Sequence, residues 1–412
     1  MRSASRPGPG SLALLAAATL GASLLVAGTG AAQPVPISQF APTNIDRAVA
    51  RTILQTVSQL PPVTNVGLSY QYNPELDTFV EAKGALGSGM VPAARFARKG
   101  SVTGVLSFAY FGLDEFAGDD SASVVVNVPA DRFNPNGQRY DLGVATRVTT
   151  DVYVARLAGR YTFLDNMDAG LTLPLIVTNV SSRYVVQQLQ GQDEIDRFAR
   201  RGVNSPDVGN TLIDTSLNRI AIPDGFNDGG NFDVGNMVLD TKYGLPLDSV
   251  NFAVGFQAEL RLPTASLSRF TGTDTTSLRG LVLANYQAKV FGAYIAGGYE
   301  QDFSTDVLSN GSVAASVTAQ ITEYLLLEAG MNAAFYLEDI DVFDSEKFDA
   351  ALPSTQIIAS NSLLGTNEVN VGGGLRLNPV ADLSLSLYAT TPVTDDGYRA
   401  GEILAASVDY PF

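Results

Sequence analysis

The 412-residue sequence contains no cysteine, no histidine and no tryptophan, and only 17% of its residues are charged. The missing cysteine excludes a disulfide framework and an N-terminal lipid-modified Cys. The missing histidine excludes a Ser-His-Asp triad, a His-dependent barrel phospholipase and a His-ligated zinc site. The charged fraction is below the roughly 25% usual for soluble domains. Yet beyond the N-terminus no apolar run approaches the roughly 20 residues a membrane helix needs. Basic residues are scarce too, with 26 Lys and Arg against 42 Asp and Glu and a net charge of −16. A nucleic-acid partner, which would call for a basic patch, is therefore not expected.

What is present is alternation. In the last eleven residues, Leu404, Ala406, Val408, Tyr410 and Phe412 share one side of a strand, with smaller or more polar residues between them. That is a period of two, with one apolar and one wetter face. Termini usually fray, so an apolar strand at a chain end suits a closed membrane barrel, whose last strand pairs with its first and removes the edge. These five residues also resemble the C-terminal assembly signal of bacterial outer-membrane proteins, with Tyr410 and Phe412 as periplasmic-side aromatic anchors. Loss of Phe412 is expected to impair assembly.

The N-terminal 32 residues have the layout of a secretory signal: Arg2 and Arg6, an apolar core from Leu12 to Ala27, and a small-residue site at Gly30-Ala31-Ala32. The alternative of a membrane anchor meets a core that is short and ends in small residues. Cleavage before Gln33 leaves 24 basic against 42 acidic residues, about −18 by the same count. Residues 33–62 form a Pro-bounded lead-in. There Ile45, Val49, Ile53, Val57 and Leu60 predict a short helix, either packed under a barrel on the periplasmic side or inserted as a plug.

From residue 63 to 412 the period is two. The clearest strands hold Tyr153, Ala155, Leu157 and Tyr161 against Arg156 and Arg160, and Phe252, Val254, Phe256 and Leu260 against Gln257, Glu259 and Arg261. One apolar and one charged face is the grammar of a barrel with a wet interior. Residues 84–100, rich in Gly and Ala, are expected to be a linker or periplasmic segment. Counted back from the C-terminus, connections alternate in length, and from residue 164 onward each outer loop exceeds each inner turn. The predicted fold is all-β: a transmembrane antiparallel up-and-down barrel of about 14 strands, or about 12 if the two near residues 63–83 lie outside the wall, with long extracellular loops.

The stretch Asp233-Val-Gly-Asn236 through Lys242-Tyr243-Gly244, with Ala258-Glu-Leu-Arg-Leu-Pro-Thr264, resembles the phenol-degradation-pathway (MetA-pathway) outer-membrane family. Arg160-Tyr161 to Pro174-Leu175 is similar to it as well. Ala265 departs from the pattern, which has Gly there. The resemblance implies an outer-membrane protein that admits small hydrophobic or aromatic compounds, distantly like the long-chain fatty-acid transporters. Its expected location is the outer membrane of a Gram-negative bacterium. Its expected partners are outer-membrane lipid and lipopolysaccharide, the barrel-assembly machinery, periplasmic chaperones and a small hydrophobic solute.

If the parity holds, Arg156, Arg160, Lys242, Glu259, Arg261, Lys289, Glu300, Glu328 and Arg376 point inward. They then either pair across strands or line a permeation path. Gly255, Ser316, Gly330, Gly372 and Gly374 on the same face leave space. In the long loop 181–233, Val185 and Leu189 suggest a helical turn, as a lid or a rim cap. Asp224, Asn227, Asp228, Asn231 and Asp233 offer oxygen ligands suited to calcium, although Phe226 breaks the EF-hand register. No other cofactor is expected. Carboxylates such as Glu338, Asp339 and Asp341 sit in a loop without a visible pocket, so the chain is read as a non-enzyme. Two functions stand: a channel or transporter for small, hydrophobic or aromatic molecules, or a structural or adhesive barrel with a closed lumen that acts through its loops.

Overall fold

The computed structural model describes residues 51–53, 56–57, 60, 69–73, 78–82, 88–94, 99–116, 122–128, 140–189, 229–247, 249, 251–265, 271–272, 275–288, 290–303, 309–322, 324–337, 340–341, 356–360, 363–364, 367–380, 383–394 and 398–411. Twelve strands form the wall: β1 (Val102–Phe116), β2 (Tyr140–Leu164), β3 (Met167–Leu189), β4 (Met237–Gly244), β5 (Phe252–Leu262) and β6 (Ser277–Ala288), followed by β7 (Phe291–Asp302), β8 (Asn310–Gln320), β9 (Leu325–Tyr336), β10 (Asn367–Val380), β11 (Leu383–Pro392) and β12 (Tyr398–Pro411). Each pairs antiparallel with the next, and β12 returns to β1 over a register from Tyr398 opposite Phe116 to Pro411 opposite Thr103. The ring is closed, so no wall strand is left with a free edge.

The two faces of the wall follow from the period of two. Outward positions are large and apolar and lie bare on the isolated chain: Tyr153, Leu157 and Tyr161 on β2, Phe252 and Phe256 on β5, Val282 and Tyr286 on β6, Leu404 on β12. A belt of this kind on every side of a closed ring faces hydrocarbon, where an isolated protein in water would bury it. Among the described residues no helix is long and apolar enough to cross a membrane. The inward positions are polar and buried, among them Ser107, Arg156, Gln257, Asn285, Glu300, Thr318 and Asn370.

The fourteen-strand count is corrected to twelve. Ser69–Asn73 and Thr78–Ala82 pair only with each other among the described residues, as a five-residue hairpin. Strands that short fall below the roughly 9–11 residues a crossing needs. The helical turn expected near Val185 and Leu189 is also corrected. Residues 181–189 continue β3 and pair with residues 141–149 of β2. A match at i and i+4 fits helix and strand alike over so short a stretch, and the partner that decides it is far away in sequence. Beyond the rim, Ala122–Val128 adds to β2, and Gln356–Ser360 adds to that strand, giving a small sheet above one side of the mouth.

Connection lengths alternate around the ring, but the strict rule fails. Residues 245–251 on the short-turn rim outnumber residues 393–397 on the other, because β11 and β12 run further than their periodicity alone suggests. At the short-turn rim Gly100 adopts a φ of 86° and donates its N–H to the Thr162 carbonyl at 2.7 Å. A residue with Cβ is strained at that angle. The turn feeds the chain from the interior into β1.

Candidate functional site

The lumen holds two groups of charge. Near the short-turn rim, Arg160 on β2 is ion-paired with both Asp168 on β3 and Asp240 on β4, and all three side chains are less than a tenth exposed. Lys242 lies two residues beyond Asp240 on the same face, with its Nζ 3.6 Å from Asp168. Four charges of balanced sign are locked together where a lone one would cost several kcal/mol. Higher in the barrel, Arg261 reaches Glu300 at 3.0 Å and Arg279 reaches Glu259 at 3.6 Å. Glu300 also accepts from the Ser277 hydroxyl at 2.6 Å, and Arg279 donates to Ser312 Oγ at 3.0 Å. Gln257 links the groups, donating to Glu259 at 2.9 Å and to Asp240 at 3.5 Å.

Of the nine inward charges expected from the sequence, eight are described and all eight point inward. Arg156 donates to Ser107 Oγ and Arg376 to Ser386 Oγ, each at 3.1 Å. Lys289 lies outside the described residues. The sequence reading missed Asp168, Asp240 and Arg279, the partners that complete the network. Their parity was available: Asp168 precedes the outward Ala169 and Leu171, and Arg279 follows the outward Leu278.

Glu328 on β9 has a different task. Its carboxylate accepts the Ser88 hydroxyl, the Gly89 N–H at 2.7 Å and the Met90 N–H at 3.2 Å. Residues 88–94, expected as a linker or periplasmic segment, cross the interior as a strap. The strap's polar ties to the wall run through its main chain and the Ser88 hydroxyl. The Ala94 N–H donates to Asn285 Oδ1 on β6 at 3.0 Å, and the Ala93 carbonyl accepts from Lys242 Nζ at 3.0 Å. Ser316 on β8 donates to Ser88 Oγ at 2.7 Å. Ser88 Oγ also receives the Val91 N–H at 2.8 Å, which turns the strap back on itself.

Between these bonds Val91, Ala93 and Ala94 pack with Leu281, Leu283, Tyr294 and Ala296 in an apolar core inside the lumen. Of the small residues predicted to leave space, Gly255, Ser316 and Gly330 meet the strap, whereas Gly372 and Gly374 are filled by Thr390 and Tyr388 of the neighbouring wall strand. A Cβ on Gly255 would lie 3.3 Å from that of Ala94, and one on Gly330 3.2 Å from the Met90 sulfur.

Above the strap lies a cavity of about 150 Å³. Met90 and Pro92 line it together with the Arg261–Glu300 and Arg279–Glu259 pairs, Leu281 and Tyr336. Two residues of the lead-in, Val57 and Leu60, line it as well. Arg51 is buried, with its guanidinium carbon 3.8 Å from the centre of the Tyr336 ring, a cation–π contact.

Of the calcium candidates, Asp224, Asn227 and Asp228 lie outside the described residues, and Asn231 is placed by its backbone alone in the strand Gly229–Val234. Asp233 accepts from the Val234 N–H at 2.8 Å and from Thr271 Oγ1 at 3.4 Å. At the C-terminus, Leu404 is exposed on the outer face, Asp409 is buried, and Phe412 is outside the described residues.

Neither a protein-family model nor a curated protein matches the sequence. Solved structures do. An outer membrane channel from Pseudomonas putida F1 is 12% identical, with 77% of this chain and 97% of that one covered and a TM-score of 0.44. The porin NanC is 8% identical, covering 74% and 98%, with a TM-score of 0.36. The P. putida toluene transporter TodX is 10% identical, covering 76% and 90%, with a TM-score of 0.33. The chain is similar to outer-membrane channels and porins, at low identity and with TM-scores below 0.5.

Proposed function

We propose that this chain is an outer-membrane channel or transporter for small molecules, in which a segment preceding the first wall strand stoppers the lumen. The observation that carries this reading is a charge-lined cavity closed from below by a strap that is bound through its main chain. A barrel needed only as a support could fill its interior with side chains of the wall. Here the strap comes up against Gly255, Gly330 and Ser316, where larger wall side chains would exclude it. A segment held by hydrogen bonds can leave, whereas a wall side chain cannot.

The cargo class we favour is small and hydrophobic or aromatic. Apolar Leu281, Met90 and Pro92 share the cavity with charges already engaged by one another, so an incoming molecule meets apolar surface without having to neutralise a bare charge. The inward charges Arg156, Arg160, Lys242, Glu259, Arg261, Lys289, Glu300, Glu328 and Arg376 set the electrostatics of the path. Residues 33–62 belong to the plug, a role supported by buried Ile53 and Leu60 and by the Arg51–Tyr336 contact. Residues 1–32 export the chain to the Gram-negative outer membrane and are cleaved. The assembly machinery recognises the terminal strand through Leu404, Ala406, Val408, Tyr410 and Phe412, and the outer loops meet lipopolysaccharide.

The second reading, a structural barrel with a closed lumen, draws on the same strap. Bilayer conductance and liposome swelling of refolded protein separate the two. The channel reading expects small steps that grow with Val91→Asp and Ala94→Asp, whose charges the apolar seat of the strap cannot take. Absence of flux in both forms refutes it and leaves the structural barrel.

A further inference from the structure

The strap discloses what its binding site recognises. At one end a carboxylate, Glu328, accepts a hydroxyl and two successive backbone N–H groups. At the other end the Lys242 ammonium donates to a backbone carbonyl at 3.0 Å, and Asn285 accepts a backbone N–H at 3.0 Å. Between the ends, apolar wall residues, Leu283 and Tyr294 among them, cover the small side chains of Val91, Ala93 and Ala94. Only Ser88 contributes a polar side chain to this recognition. The site therefore reads main chain and tolerates small apolar side chains, and the strap's identity as part of this polypeptide is incidental to those contacts.

We propose that the lower lumen is itself a binding site for short peptides with small apolar side chains, with residues 88–94 as its tethered occupant. This goes beyond the cargo class favoured above and rests only on the reading of the barrel as a channel for small molecules. An incoming peptide places its free ammonium terminus on Glu328, where the N–H groups of Gly89 and Met90 now sit. Its carboxylate terminus takes the place of the Ala93 carbonyl at Lys242. Ala93 is four positions on from Gly89, so their Cα atoms lie within about 14 Å even if the segment were fully extended. The turn at Ser88 shortens the span further. Three residues fit such a span, and an ammonium and a carboxylate complement charges that are opposite in sign and fixed in the wall.

The test uses the refolded full-length barrel carrying Val91→Asp and Ala94→Asp, two replaced residues whose charges the apolar seat cannot take, and tri-L-alanine as the probe, followed by titration calorimetry. Tri-L-alanine is expected to bind this form at least ten-fold more tightly than it binds the intact protein, and Glu328→Gln in the same background is expected to weaken binding at least ten-fold. Equal affinity for the intact and replaced forms, or no effect of Glu328→Gln, overturns the proposal. Should the replaced form fail to refold, Gly89→Val in the otherwise intact chain displaces the strap sterically, because a side chain there overlaps the buried Tyr388 ring. The same affinity gain is expected for that variant, and its absence counts against the site. Bilayer recordings keep the two readings apart. A conducting barrel that tri-L-alanine blocks no better than a trisaccharide removes the peptide site and leaves the channel. A barrel that binds the peptide and never conducts removes the channel reading.

Discussion

Replacing Glu328 by Gln should loosen the strap without emptying space, since the two side chains are nearly the same size. The carboxylate receives three donors from the strap, the Ser88 hydroxyl and the N–H groups of Gly89 and Met90. Hydrogen bonds to a charged group contribute about 1.5–3 kcal/mol each, against about 0.5–1.5 for neutral partners. Losing the charge therefore costs about 1 kcal/mol per bond and about 3 in all, before counting the amide hydrogens that now face the strap. At 1.4 kcal/mol per factor of ten, the released population rises on the order of 100-fold. The cysteine-free sequence offers a clean reporter. Val91 is fully buried in the lumen core, so a Val91→Cys thiol reacts with a membrane-impermeant maleimide only when the strap is out. Where opening and closing outpace labelling, the labelling rate tracks the open population. Glu328→Gln in the Val91→Cys background should label on the order of 100-fold faster than Val91→Cys alone. Rates within about three-fold, well short of the shift a charge-assisted clamp implies, would refute the reasoning.

Arg160→Met should destabilise the barrel by about 3–5 kcal/mol, read from urea unfolding in vesicles, because it takes the guanidinium from buried Asp240 and leaves Asp168 with Lys242 as its ion-pair partner. Adding Asp240→Asn should return part of that loss, and a double variant no better than the single would deny the coupling. Phe256→Arg on the outer belt should lower stability by about 2–4 kcal/mol and reduce the heat-modifiable form, whereas no change would mean that this face does not meet lipid. Arg261→Ala leaves Glu300 in excess and should shift the reversal potential under a KCl gradient towards cation selectivity, and Glu259→Ala should shift it the opposite way. An unchanged potential in both takes these residues out of the path.

The wall was legible because each strand carries its own evidence of orientation. Phe252, Phe256, Gln257 and Glu259 declare their faces within eight positions, and the structure keeps that parity. The inward charges followed from the same count. The strap was not legible, and the reason is chemical. Residues 88–94 are bound by main-chain N–H and C=O groups, which every residue possesses, so nothing in Gly, Met, Pro and Ala announces the contact. The small wall residues that receive it, Gly255 and Gly330, looked like empty space because sequence shows absence of side chain and not what fills it. The strand at residues 181–189 was misjudged for a related reason: its pairing partner at residues 141–149 is remote, and propensity alone does not supply it.

The attachment points of the strap are scattered along the chain in a way that bears on how the barrel is made. Lys242, Asn285, Ser316 and Glu328 stand 149, 191, 228 and 240 residues away from the strap atoms they hold, each on a different strand. Contacts at such separation form late, since the long loops they close must be ordered first. A wall assembled only as far as β6 offers two of the four anchors, and one that stops before β9 lacks the carboxylate that takes three of the strap's donors. The seat is complete only after three-quarters of the wall stands. A barrel with these strands missing or misregistered would lack part of the seat, so a filled seat and a complete wall go together.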